Sequence, residues 1–273
     1  MLALARELGN SETAFVFPGG GEGYDLGLRF FTPTREVPVC GHATVAAHYV
    51  LAKLAGLSSS RLVQATGAGL LPVEVVTEGG DLKVVMTQGR VEYGAFLDGA
   101  QIASLLAALD LAEDELDGRL PARIVSTGHS KVLVAIRDKE ALDALRPRND
   151  LLTALSAVLG CNGFYIYTLD SREEGVLTAG RMFAPAIGIA EDPVTGNASG
   201  PLGAWLLRCG LLDSSDGLRR FVAKQGEAMG RKGLVEVLVD CSQGEAARVR
   251  IAGRARIVFR TEVDLPCRAP RAS

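Results

Sequence analysis

The chain has 273 residues, enough for a large core in one or two domains, and a composition of 48% hydrophobic against 22% charged residues excludes a disordered or coiled-coil chain. A net charge of -3, with Arg and Lys scattered singly or in short clusters such as Arg219-Arg220, leaves no basic stripe for nucleic acid. No apolar run approaches the roughly 20 residues of a membrane span and the start lacks a basic-then-apolar pattern, so no membrane partner is expected and cytoplasm is the default location.

In chain order, residues 2–10 (LALARELGN) predict a helix and residues 14–17 (AFVF) a strand. A second strand and then a loop follow, together carrying Arg29, Phe31, Pro33, Glu36, Pro38, Cys40, Gly41 and His42, and residues 43–54 predict an Ala-rich helix. Residues 73–76 and 83–86 read as strands, and residues 123–136 as a strand pair whose second member, starting at Lys131, is apolar throughout. Residues 152–162 (LTALSAVLGCN) then predict a helix, 164–167 (FYIY) a strand, 198–207 a helix, and 235–239 and 248–251 two further strands.

Two segments share a pattern. Arg29, Phe31 and Pro33 recur at a shift of 152 as Arg181, Phe183 and Pro185, while Glu36, Pro38, Val39, Gly41 and Ala43 recur at a shift of 155 as Glu191, Pro193, Val194, Gly196 and Ala198. The similarity extends upstream to the matched helices and strands, so the chain reads as an internal duplication. The expected architecture is α+β, with two pseudo-symmetric lobes, each a β layer or barrel around a central helix. The boundaries are 1–115 for the first lobe, with residues near the C-terminus completing it, and 116–273 for the second. The first copy has no counterpart of the strand pair at 123–136, which suggests that about 25 to 30 residues are absent ahead of it.

In both copies a Pro-containing loop runs through Gly into a long helix, with His42 or Asn197 at the helix start. Free N–H groups and the positive end of the dipole make each start an anion site. Two facing starts would hold a carboxylate, or the enolate-like charge left when a C–H proton departs. Glu36 and Asp192 are the candidate catalytic carboxylates, and Cys40, Gly41, His42, Thr195, Gly196 and Asn197 the candidate substrate-binding residues. Acidic residues beside a helix start also serve as caps, so Glu36 and Asp192 retain that alternative, and His42 either caps or titrates. His48 reads as a packed helix residue, and His129 as a turn residue that could rim the cleft. A hydrolase built on Thr195 or Ser199 lacks a neighbouring His base.

Five cysteines, at 40, 161, 209, 241 and 267, form no CxxC pair, so neither a metal centre nor a disulfide framework is expected. No cofactor is expected either.

At residues 29–48, 126–131 and 181–204 the sequence resembles the phenazine-biosynthesis-type (PhzF-like) isomerase family, whose fold is that of diaminopimelate epimerase. The resemblance is strongest to bacterial isomerases of unassigned substrate and extends over essentially the whole chain. It implies a homodimer and a cofactor-free proton shift on a small carboxylate-bearing metabolite in the cleft between lobes. It puts the family's catalytic glutamate on Glu36 and its second-motif aspartate on Asp192. A family serine is Asn197 here. Of the two cysteines used by related epimerases, Cys40 matches the first while Thr195 replaces the second, which disfavours two-thiol chemistry. The family's N-terminal strand, with its Gly-Asn turn, has no counterpart. A thiol-based epimerase using Cys40 and a catalytically silent metabolite-binding protein are the alternatives.

Overall fold

The computed structural model describes residues 1–20 and 23–263; Cys267, one of the five cysteines counted above, lies outside them. The chain begins with α1 (Leu2–Leu8), β1 (Thr13–Pro18), β2 (Leu26–Phe31), β3 (Glu36–Val37) and α2 (Gly41–Leu54). Next come β4 (Ser60–Thr66), β5 (Gly69–Glu78), β6 (Asp81–Thr87), β7 (Glu92–Phe96) and α3 (Gly99–Leu109). The second half holds β8 (Arg123–Ser126), β9 (Lys131–Ala135), α4 (Lys139–Ala144), α5 (Asn149–Leu159), β10 (Phe164–Thr168), β11 (Thr178–Ala184) and β12 (Ile189–Asp192). It ends with α6 (Gly196–Arg208), β13 (Gly217–Gln225), β14 (Gly233–Ser242) and β15 (Glu245–Gly253). The α+β class is as expected, and β3, β4, β7, α3, α4, β12 and β13 are elements the sequence reading left out.

The two matched segments adopt the same order of elements. Helices α1 and α5 both end on a left-handed glycine, Gly9 (φ 64°) and Gly160 (φ 62°), a backbone conformation that costs other residues more. β1 then pairs antiparallel with β2 as β10 does with β11, and β3 and β12 fold back on β2 and β11. One hydrogen-bonded path runs β1-β2-β4-β5-β6-β15-β14-β13-β11-β10-β9-β8-β7, so β15, late in the chain, bridges to β6 of the first half. Among the described residues β1 has β2 as its strand neighbour, whereas β10 is flanked by β11 and, in parallel, by β9.

Two-sided burial explains the continuous apolar runs. Along β9 and β10, Val132, Val134, Phe164 and Ile166 pack into one core with α3, α4 and α5, while Leu133, Ala135, Tyr165 and Tyr167 face a second core built around α6. Every residue of α6 except Asn197 and Arg208 is buried. Small residues permit this: a Cβ on Gly203 would lie 2.7 Å from Val237 Cγ1. No helix among the described residues is long and apolar enough to cross a membrane.

Candidate active site

Helices α2 and α6 bring their N-termini together. A Cβ on Gly41 would sit 3.8 Å from the Gly196 Cα, and the side chain of Ile251 on β15 fills the space beneath both glycines. A cleft of about 470 Å³ opens at this meeting point. All eight candidate residues, Glu36, Cys40, Gly41, His42, Asp192, Thr195, Gly196 and Asn197, line it, joined by Glu12, His129, Lys131 and Asn162.

His42 spans the two halves. One ring nitrogen, Nδ1, lies 3.1 Å from the Val194 carbonyl, which can only accept, so Nδ1 carries a hydrogen. Nε2 is thereby the nitrogen that titrates, and it lies 3.1 Å from Glu12 Oε2. Burial works against an imidazolium here, but the acidic groups Cys40, Glu12 and Asp192 around the ring overturn it and hold the His42 pKa well above its ordinary value.

Glu12 precedes β1, and its side chain is only 7% exposed. Burial pushes its pKa up, yet the hydrogen bond and charge of His42, with Ser11 and Cys40 adding to them, bring it below the ordinary value. Asp192, at the end of β12, moves the other way: burial, with Glu12 adding to it, outweighs His42 and raises its pKa. Asp192 Oδ2 accepts from the Thr195 hydroxyl. Asp192 Oδ1 is buried without a hydrogen-bond donor among the described residues, and Glu12 Oε2 has His42 Nε2 as its ion-pair partner, so each oxygen retains a lone pair for a guest.

Glu36, the expected proton carrier, sits elsewhere in character. It reaches the rim of the cleft, its side chain is 43% exposed, and Arg29 holds both its oxygens at 2.8 and 2.6 Å. The arginine's hydrogen bond keeps its pKa low. The matched pair Arg181–Glu191 repeats this two-pronged geometry at 2.9 Å in the second half. A feature that recurs at equivalent positions across β2–β3 and β11–β12 is a clamp on the turn. Glu12, a residue the sequence reading passed over, thus joins Asp192 as a buried carboxylate in the cleft. A signal existed: four residues join helix to strand in each copy, and with Gly9 matched to Gly160, Glu12 falls where the second copy has Gly163.

Cys40 caps α2 without a side-chain cap bond, and burial raises its thiol pKa despite His42 Nε2 at 3.6 Å. The donor atoms of Glu12, Cys40 and His42 lie within 4.8 Å of one another, so the Glu12–His42 ion pair stands directly beside a buried thiol. Two glutamines brace the second loop. Gln225 on β13 donates to the Thr195 hydroxyl (3.0 Å) and accepts from its backbone N–H (3.2 Å). Gln88, after β6, donates to the Gly196 carbonyl (2.9 Å) and Asn197 Oδ1 (3.3 Å). His48 is buried against Gln64 (2.9 Å), as a packed helix residue should be.

The family described as phenazine biosynthesis-like protein matches residues 1–261. An uncharacterized isomerase of Clostridium acetobutylicum is 49% identical over 265 residues, 97% of this chain and 88% of that protein. The uncharacterized isomerase YddE of Escherichia coli is 43% identical over 262 residues, 96% and 87% of the two chains. A solved PhzF-family phenazine biosynthesis protein of Bacillus anthracis superposes with a TM-score of 0.81 at 30% identity, over 93% of this chain and 85% of that one.

Proposed function

The chain belongs to the phenazine biosynthesis-like family of isomerases, and from that premise we propose that Glu12 carries the proton in a cofactor-independent hydrogen shift on a small carboxylate-bearing metabolite. The observation that carries this reading is the pair of cleft carboxylates driven in opposite directions, Glu12 toward the ionised form and Asp192 toward the protonated one. An ionised carboxylate can take a proton from the guest, and a protonated one can donate a hydrogen bond to it.

In this reading Glu12 Oε2 removes a proton from a substrate carbon. As its charge passes to the substrate, the His42 imidazolium is left facing the new enolate-like anion. The first N–H groups of α2 and α6 face the same charge. Glu12 then returns its proton to another carbon, while Asp192 and Asn197 orient the guest. Glu36 takes the role of clamp in place of proton carrier. Cys40, a neutral thiol, serves as a packing and hydrogen-bonding neighbour of His42, so Cys40→Ala keeps turnover within about tenfold. The homodimer belongs to the same reading and is checked by sedimentation.

The test is deuterium incorporation from D2O into small carboxylates bearing an acidic C–H, followed by NMR. Glu12→Gln is expected to lower exchange by about 10²–10⁴-fold, with Glu36→Gln close to the parent. Undiminished exchange in Glu12→Gln would sink the assignment. A chain that binds such carboxylates and exchanges none of them is the silent metabolite-binding protein instead.

A further inference from the structure

Four lysines are buried: Lys83, Lys131, Lys139 and Lys224. Three of them have carboxylate partners, Lys83 with Glu236 at 2.6 Å, Lys139 with Asp143 at 2.6 Å, and Lys224 with Glu227 at 3.0 Å. Lys131 has none within ion-pair distance among the described residues. Among the described residues, the one hydrogen bond of its Nζ is a long 3.5 Å contact with the Ser130 carbonyl. Yet Lys131 is only 4% exposed, and it lines the same cleft as Glu12, His42 and Asp192. Its position follows from strand alternation. Residue 131 shares the face of β9 that carries Leu133 and Ala135, on the side of α6, and not the face of Val132 and Val134.

A buried ammonium without a counter-ion is unfavourable by several kcal/mol in general. A site that keeps one open toward a cavity is built for an anion arriving from outside. We propose that Lys131 is the specificity-determining residue that anchors the carboxylate of the substrate, holding the guest so that its acidic C–H faces Glu12. This rests on the reading of the cleft as a carboxylate site.

The groups facing Lys131 set its charge. Burial lowers its pKa to about 8, while Cys161, ahead of β10, and Asp192, on β12, hold it up. His129, in the β8–β9 turn, is itself pushed down by burial and by Lys131 and so adds no positive charge near neutrality. Glu12 and His42 complete the ring of charged groups in the cleft. Lys131 is accordingly mostly cationic at neutral pH and neutral well above its pKa, so anchoring fades as pH rises.

Benzoate and its neutral isostere benzamide are the probes, with dissociation constants measured by ligand-observed NMR on the full chain. At about pH 6.5 the parent is expected to prefer benzoate by about tenfold or more, the size of one charge-assisted hydrogen bond. Raising the pH to about 9.5 should collapse that preference. Lys131→Met should abolish it at the lower pH, and Lys131→Arg should retain part of it. No preference in the parent, or the same preference in Lys131→Met, overturns the proposal. The pH comparison on the parent needs no variant, so misfolding of a mutant leaves the idea testable. Because the assay reads binding alone, the anchor can stand where deuterium exchange is absent, and can fail where exchange is present.

Discussion

At the scale of single residues, the two arginine–glutamate clamps separate exposure from chemistry. Arg29 and Glu36 are 46% and 43% exposed, whereas Arg181 and Glu191 are 9% and 16% exposed. Water screens the first pair, so Glu36→Gln should change stability by less than about 1 kcal/mol. Removing Glu191 leaves a guanidinium buried beside the Leu142 and Leu145 carbonyls, and Glu191→Gln should cost about 3 kcal/mol. Urea unfolding of both variants checks the contrast; equal losses would contradict it. Lys131 adds a pH signature. Its folded pKa of about 8 lies below its ordinary value of 10.5, so between these limits the unfolded chain binds more protons and stability gains a contribution that rises with pH. Lys131→Met should remove that rise in denaturation curves recorded across the window. Little of this was legible beforehand. A short Glu-x-Pro motif stands out in a sequence, but whether its carboxylate is buried or clamped depends on an arginine seven residues earlier and on which strand folds back. Glu12, the buried one, carries no motif of its own.

Whole elements were far more legible, for a reason visible in their burial. Strands β9, β10 and β11 are covered on both faces, so most of their residues are apolar, and the runs of β9 and β10 announce themselves. Helix α3 escaped the reading although Asp98 and Gln101 form a capping box at its start. Gln88 and Gln225 could not have been found, because a glutamine leaving a strand has no local signature and acquires its role only when β6 and β13 come to rest beside α6. The packing of α6 yields a paired prediction. Alanine is the better helix former by about 1 kcal/mol, yet a Cβ at Gly203 would meet Val237 at 2.7 Å and Val239 at 2.9 Å. Overpacking of this kind costs about 1–3 kcal/mol, so Gly203→Ala should destabilise the protein. Gly99, at the start of α3, has nothing within 4 Å of the same added atom. Gly99→Ala should be neutral or slightly stabilising, and thermal unfolding of the two variants side by side decides whether contact or propensity governs.

For the molecule as a whole, the active cleft exists because two helices from distant parts of the chain start at one point, and that coincidence has a physical support. Ile251 on β15 is 2% exposed, pairs across the sheet with Met86 on β6 and Val237 on β14, and pushes its Cδ1 under Gly41 and Gly196. A late strand thus joins the first half to the second and spaces the two helix starts. Neither the duplication pattern nor any local motif singles out this isoleucine, because its importance comes from long-range pairing. Trimming it should therefore act on stability and chemistry together, in proportion to the volume removed. Ile251→Val is expected to cost about 0.5–1.5 kcal/mol and Ile251→Ala about 2–5 kcal/mol. Deuterium exchange should fall in the same order as Gly41 and Gly196 lose their fixed separation, since a small misplacement of charge-stabilising groups is felt strongly in rate. Exchange that stays constant while stability drops through the series would mean that the helix starts are held by their own loops, with the His42–Val194 contact and the Gln225 brace sufficient to keep the cleft in register.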